Sequence, residues 1–356
     1  MPAIHQFVAG FVSGDAISNE AALFRTIFRN WGFNSEIFCE ERATHKDERH
    51  HIKDISTYSR QASDNDVVLL HLSMGSGVND VFKNIKARKA ILYHNVTPPH
   101  YFELINKQTA AHLAKGLQQV AQLTDTAELN LADSRFNADE LEKLGYKSVN
   151  VLPLVLDFSM LTSKIDHHLQ KKLQDGRHNI LFVGRCTPNK KIEDLLRVFA
   201  FYQKTIDHDA RLIHVGSHAG SERYYNLLTT TVRELNIKNV IFAGSVPQPE
   251  LNAYYATADA FLCMSEHEGF CIPLIESMLH QTPILAHASA AIPETLDGSG
   301  ILMQERNFAL AAELLHAILS NSTLREAIIK KQNQRLERYR SRNLENELRQ
   351  HLKPLL

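Results

Sequence analysis

At 356 residues, 44% hydrophobic and 22% charged, the chain is too long for one ordinary core and reads as two globular domains, not a disordered or fibrous protein. Lysine and arginine number 39 against 40 acidic residues, a net charge of −1, so no global field draws in nucleic acid. No apolar run reaches the roughly 20 residues that cross a bilayer, and the start MPAIHQFVAG lacks the pattern of a signal peptide.

Short apolar runs alternate with helical patterns from end to end, which predicts parallel sheets with crossover helices. In the first half, strands are expected at 5–9, 35–39, 67–71, 90–94, 129–132 and 149–152. Between the first two, Ala22, Phe24, Ile27 and Phe28 recur at helical spacing, with Ser18 as the expected N-cap. The basic run Lys83 to Lys89 reads as a solvated helix end, or as a contact with an anionic membrane surface or acceptor. Polar residues 163–177, after Pro153, read as an interdomain linker. A second strand series follows at 180–183, 211–215, 240–243, 260–264, 283–286 and 300–303, and the tail from 307 to 354 is helical and charged. The expected fold is α/β, with two doubly wound domains (1–155 and 156–342) facing across a cleft and ligands at the carboxyl ends of the strands.

The four cysteines, Cys39, Cys186, Cys263 and Cys271, have neither metal-ligand nor disulfide spacing, which suits a reducing cytoplasm. Histidine is abundant, but the pairs His50-His51 and His167-His168 lie in polar segments and read as surface residues. No metal site is expected.

Chemistry concentrates after two strands of the second half. In Ser265-Glu266-His267-Glu268-Gly269-Phe270-Cys271-Ile272-Pro273-Leu274-Ile275-Glu276, a helix opens near Cys271–Pro273, where proline suits the first turn. Free amides there form an anion site, and Gly269 admits a ligand close to the backbone. Glu268 before the helix and Glu276 inside it can each bind vicinal hydroxyls, one pair on a sugar and one on a ribose. The second constellation is Val183-Gly184-Arg185-Cys186-Thr187-Pro188-Asn189-Lys190-Lys191. Here Arg185 supplies a planar fork and Lys190 a compact charge for a diphosphate. Gly216 and Gly244, with Val246 just beyond, also close strands. In the first half, the segments around Gly14-Asp15…Asn19, Ser73 and His94-Asn95 end strands that face the same cleft.

The glutamate segment resembles the Glu-x7-Glu signature of glycosyltransferase family 4, retaining enzymes of the GT-B fold, and Val183-Gly184-Arg185…Lys190 looks like that family's phosphate clamp. The resemblance implies that Glu268 contacts donor-sugar hydroxyls and that Glu276 holds the ribose. Amides of Gly269, Phe270, Cys271 and Ile272 would touch sugar and phosphates, while Gly244 to Val246 meets the base and Gly216 lies close to the nucleotide. It also implies acceptor-side roles for Gly14, Asp15 and Asn19, an approach of His94 to the reacting sugar, and a C-terminal helix (343–356) that crosses back to the first domain. The family usually has glycine where this chain has Lys191 and Cys271, so a side chain at 271 is expected to narrow the sugar pocket.

The implied activity is metal-independent transfer of a hexose from a nucleotide diphosphate sugar, GDP-mannose first and a UDP-sugar next. A saccharide or lipid-linked saccharide of surface polysaccharide synthesis would be the acceptor, met in the cytoplasm or at the inner face of the membrane. No cofactor is expected. A sugar-nucleotide epimerase of similar architecture is the alternative enzyme, and a non-catalytic sugar-nucleotide-binding subunit the alternative without turnover.

Overall fold

A computed structural model describes residues 3–12, 15–60, 63–162 and 164–356; Gly14, expected on the acceptor side, and Ser163, expected to begin the linker, lie outside the described residues. The chain divides into two compact units. The first comprises Met1–His100, Gln108–Leu156 and Asn343–Leu356; the second comprises Tyr101–Lys107 and Asp157–Arg342.

Unit 1 is built on β1 (Ile4–Val8), β2 (Ile37–Cys39), β3 (Lys53–Asp54), β4 (Val67–Leu72), β5 (Arg88–Tyr93), β6 (Leu129–Ala132) and β7 (Val149–Val151), with α1 (Ala16–Asn30), α2 (Gly77–Asn84), α3 (Lys107–Gln122) and α4 (Arg135–Lys143) between them. The strands run parallel in the order β3-β2-β1-β4-β5-β6-β7. Every residue of β1 and β4 is buried, because helices cover both faces of a parallel sheet and leave no solvent side for alternation.

Unit 2 repeats the plan with β8 (Asn179–Val183), β9 (Arg211–Val215), β10 (Val240–Gly244), β11 (Ala260–Cys263), β12 (Ile284–His287) and β13 (Ile301–Met303), ordered β10-β9-β8-β11-β12-β13 and parallel. Its helices are α5 (Phe158–Leu161), α6 (His167–Leu173), α7 (Ile192–Thr205), α8 (Glu222–Glu234), α9 (Gln248–Ala256), α10 (Ile272–Leu279), α11 (Ile292–Leu296), α12 (Phe308–Ser320) and α13 (Ser322–Arg340). The last helix, α14 (Leu344–Leu352), returns to unit 1, where Leu348 and Leu352 join Ile4, Phe24, Phe28 and Leu69 in one core.

Strand order reverses between β1 and β4 in unit 1 and between β8 and β11 in unit 2. Such switch points open a crevice at the carboxyl ends of the strands. The fold class read from the sequence is the one observed, and each of the twelve expected strands is present with no end displaced by more than two residues. The two-residue edge strand β3 was not expected.

Three local expectations are corrected. Asp15, not Ser18, caps α1: its Oδ2 accepts from the Ser18 backbone N–H at 3.2 Å, while Ser18 is buried one turn inside and its Oγ accepts from Val12 N at 3.1 Å. The expected linker contains a capped helix, α6, where Asp166 accepts from Leu169 N. The basic run is not one solvated face either. Lys89 is buried in β5, and its ammonium donates to the Lys83 carbonyl at 3.0 Å and lies over the Phe82 ring.

Candidate functional site

The switch point of unit 2 brings together the two segments that sequence reasoning singled out. The turn after β8 and the turn after β11 are joined through Asn189. Its carbonyl accepts from Glu266 N at 2.8 Å, and its side chain donates to the His267 carbonyl at 3.1 Å. Nothing in the sequence marked Asn189, because a carboxamide bonding two backbones has no spacing signature. With the turns so held, the Lys190 ammonium donates to Glu268 Oε2 at 2.6 Å. Burial alone would pull Lys190 down, but Glu268, helped by Cys271, outweighs it and holds the lysine above its ordinary value. Lys191 is committed elsewhere, to Glu266 at 3.2 Å and Glu193 at 3.7 Å. Arg306 takes the other oxygen of Glu266 at 3.1 Å. Arg185 is exposed, and among the described residues its guanidinium makes no hydrogen bond or ion pair. Among the described residues, the loop thus offers two bound cations, Lys190 and Lys191, and the unpaired Arg185.

Glu276 lies in α10 and is buried. The Tyr255 hydroxyl donates to its Oε2 at 2.6 Å. Burial pushes the Glu276 carboxyl up, against the Tyr255 hydrogen bond, and drives the phenol well above its usual range. Tyr255 lies on α9 and Glu276 on α10, and no sequence spacing marks the pair. Phe270 is buried edge-on to Tyr339, and its carbonyl accepts from Thr295 Oγ1 at 2.5 Å. Gly269, Ile272 and Val246 are half-buried. α10 begins at Cys271, a left-handed residue at φ 71° with no side-chain cap, and Pro273 occupies its first turn.

Three strand ends are stitched by backbone: Gly184 N–H to the Val215 carbonyl at 2.9 Å, and Gly216 N–H to the Gly244 carbonyl at 2.8 Å. Glycine is required at 216, because a Cβ there would stand 1.9 Å from the Gly184 carbonyl oxygen. His214 Nε2 donates to that same oxygen at 2.9 Å, and burial holds this imidazole down to about 4.

Cys263 and Cys271, read as unrelated, are brought together: both are buried, and their sulfurs lie with a Glu268 oxygen in a cluster whose atoms are all within 4.8 Å. The Cys271 thiol hydrogen-bonds Cys263, which lowers Cys263 and, with burial, raises Cys271. Lys190 already occupies Glu268 there, so a cation competes with an ammonium at this cluster. The strand-to-helix spacing of eight residues hid the contact. The Cys271 side chain is 6% exposed and turns to Cys263.

The unit 1 candidates lie at its own switch point. Asp15 and Asn19 are exposed at the start of α1, and Ser73 is half-buried after β4. Asn95 is buried and left-handed at φ 78°, donating to Asn137 Oδ1 at 2.8 Å and Glu140 Oε2 at 3.1 Å. His94 is buried with both ring nitrogens engaged, Nε2 to His71 Nδ1 at 3.0 Å and Nδ1 to Asp133 Oδ2 at 3.3 Å. Burial would lower His94, but the Asp133 hydrogen bond and the charges of Glu20, Asp133 and Asp15 raise it, while burial raises Asp133 and takes His71 well down. None of Glu20, His71 and Asp133 was assigned a role from sequence, although the first two lie in the segments around Asn19 and Ser73. The one available signal was that His71 and His94 end neighbouring strands.

Two all-parallel sheets of this order, with a cation–carboxylate cluster at the second switch point, define a GT-B fold. The architecture matches sucrose-phosphate synthase from Thermosynechococcus elongatus at a TM-score of 0.76 and 15% identity, covering 100% of this chain and 99% of that one. Residues 163–335 match the family described as glycosyl transferases group 1. A glycosyltransferase of Methanocaldococcus jannaschii is 30% identical over 201 residues, 55% of this chain and 50% of that protein. A GDP-mannose-dependent alpha-mannosyltransferase of Mycolicibacterium smegmatis is 31% identical over 159 residues, 43% of this chain and 38% of that protein. The chain thus spans half or less of the length of these relatives. Among the described residues, no helix is long and apolar enough to cross a membrane.

Proposed function

We propose that the protein is a retaining glycosyltransferase that moves a hexose from a nucleotide diphosphate sugar to a saccharide or lipid-linked saccharide acceptor of a surface polysaccharide. The observation that carries this reading is the Lys190–Glu268 contact of 2.6 Å at the unit 2 switch point, in the segment that matches glycosyl transferases group 1. GDP-mannose is the first donor to test, in keeping with the donor named for the mycobacterial relative, and UDP-sugars follow.

Cleaving the bond between sugar and diphosphate builds negative charge on the leaving phosphate and positive charge at the anomeric carbon. Arg185 and Lys190, with the amides opening α10, stabilise the phosphate as a preorganised set, so the diphosphate needs no divalent ion. Glu268, its other oxygen available beside Lys190, orients a sugar hydroxyl; Glu276, fixed by Tyr255, takes the ribose. The leaving phosphate oxygen accepts the proton of the acceptor hydroxyl on the face it vacates, which retains configuration without a dedicated base. His94, its Nδ1 held by Asp133, serves positioning and charge balance. The acceptor-side groups Asp15, Asn19, Ser73 and Asn95 belong to unit 1, as does His94.

The test is release of nucleoside diphosphate from GDP-mannose and from UDP-sugars, with and without added Mg2+. Turnover unchanged by Mg2+ and lost in Arg185→Ala is expected. A chain that binds the donor and releases nothing with any acceptor saccharide, or that epimerises the donor instead, overturns the proposal.

A further inference from the structure

The buried histidine cluster of unit 1 has a proton-counting problem. Gln6 Nε2 donates to the Ala21 carbonyl at 2.9 Å, so its Oε1, 3.0 Å from His71 Nε2, is the acceptor there and His71 carries its proton on Nε2. Asp133 Oδ1 accepts from Asn137, and its Oδ2, 3.3 Å from His94 Nδ1, takes the proton of that nitrogen. The remaining nitrogens, His71 Nδ1 and His94 Nε2, then present lone pairs to each other across 3.0 Å. Glu20 Oε2 is a third acceptor, 3.8 Å from the first and 3.6 Å from the second. One added proton can lie between only two of the three. It also leaves two carboxylates against a single positive charge, in side chains between 0% and 3% exposed.

We propose that Glu20, His71 and His94 bind a divalent transition metal, with zinc the best fit. A point equidistant from the three atoms lies about 2.0 Å from each, the length of zinc bonds to imidazole nitrogen and carboxylate oxygen. Both imidazoles give their outer N–H to an oxygen acceptor, the arrangement that fixes a metal-binding tautomer and strengthens the ligand. A divalent ion neutralises Glu20 and Asp133 together. Three protein ligands leave a fourth position for water. This departs from the sequence expectation of no metal and concerns unit 1 alone, apart from the donor groups of unit 2.

The test is metal content of the full chain by plasma mass spectrometry after dialysis against zinc-supplemented buffer, then cobalt substitution read by visible absorption. One zinc per chain is expected in the wild type, lost in His71→Ala and Glu20→Gln and kept in His167→Ala, which alters an exposed histidine. Gln6→Ala should weaken zinc binding about 10- to 100-fold, the usual cost of a lost outer hydrogen bond. Should His71→Ala not fold, the wild type still decides. Apo protein titrated with Co2+ should give visible d–d bands without the thiolate charge-transfer band that Cys263 and Cys271 would add. Zinc absent from the folded wild type, retained in Glu20→Gln, or accompanied by that thiolate band overturns the proposal.

Discussion

Replacing Lys190 with methionine keeps most of the side-chain volume and removes the charge that holds Glu268. The pair is closed at 2.6 Å, with side-chain exposures of 19% for lysine and 8% for glutamate. Breaking a fully buried pair by removing one partner costs about 3–5 kcal/mol. The lysine end is partly wet, which lowers the expected loss to about 2–3 kcal/mol. The double variant Lys190→Met/Glu268→Gln removes the stranded charge as well, so it should recover about 2 kcal/mol relative to the sum of the two single changes. Guanidinium unfolding should be followed by circular dichroism, with hydrogen exchange on peptides of unit 2. The chain's single tryptophan, Trp31, sits in unit 1, where its fluorescence reports on the other unit. Additive single and double variants, or a loss below about 0.5 kcal/mol for Lys190→Met, would show that the contact is an incidental surface pair.

Glu276→Ala should raise the donor KM strongly and Tyr255→Phe less, by about 10-fold, since a hydrogen bond to a charged group contributes roughly 1.5 kcal/mol; steady-state kinetics separates them. Gly216→Ala should unfold unit 2, because its Cβ would lie 1.9 Å from the Gly184 oxygen. Gly244→Ala meets no atom within 4 Å and should cost only the left-handed strain of φ 73°, about 1–2 kcal/mol; thermal melts read both. His214 titrates near 4 in the folded chain and near 6.5 unfolded. The unfolded state therefore binds the extra proton between those values, and stability falls by up to ~3 kcal/mol as pH drops through that window. His214→Gln should flatten that slope in denaturant titrations at stepped pH. Leu348→Ala should cost about 2–5 kcal/mol and alter Trp31 fluorescence, because Trp31 donates to Glu345 of the same C-terminal segment at 2.7 Å.

What was legible from sequence follows from what carries local information. Strands buried on both faces announce themselves as apolar runs, so β4, β8 and β11 were found nearly to the residue. Glu268 and Glu276 were found because a glycine, an aromatic and a proline stand in register around them. Contacts between side chains that topology alone brings together were not legible. Asn189 bonds two backbones 77 and 78 residues further on, and the His71–His94 pair forms only because β4 and β5 are neighbours. The N-cap of α1 was misplaced for a related reason. Asp15 and Ser18 are both good caps, and the choice depends on Ser18 being buried against the turn before the helix.

The two positions where the chain departs from the glycines of the resembling family are linked by one backbone property. Lys191 has φ 51° and Cys271 φ 71°, so both turns keep the left-handed conformation glycine would adopt without strain, at about 1–2 kcal/mol each for a residue bearing a Cβ. Each added side chain finds a partner that offsets the strain, Glu266 and Glu193 for Lys191 and Cys263 for Cys271. Since the thiol is drawn to β11 and is almost wholly buried, its volume is taken up beside the strand. Donor discrimination by bulk at this turn is then better sought at the half-buried Gly269 and Ile272 than at Cys271, and Cys271→Gly should change stability more than donor preference.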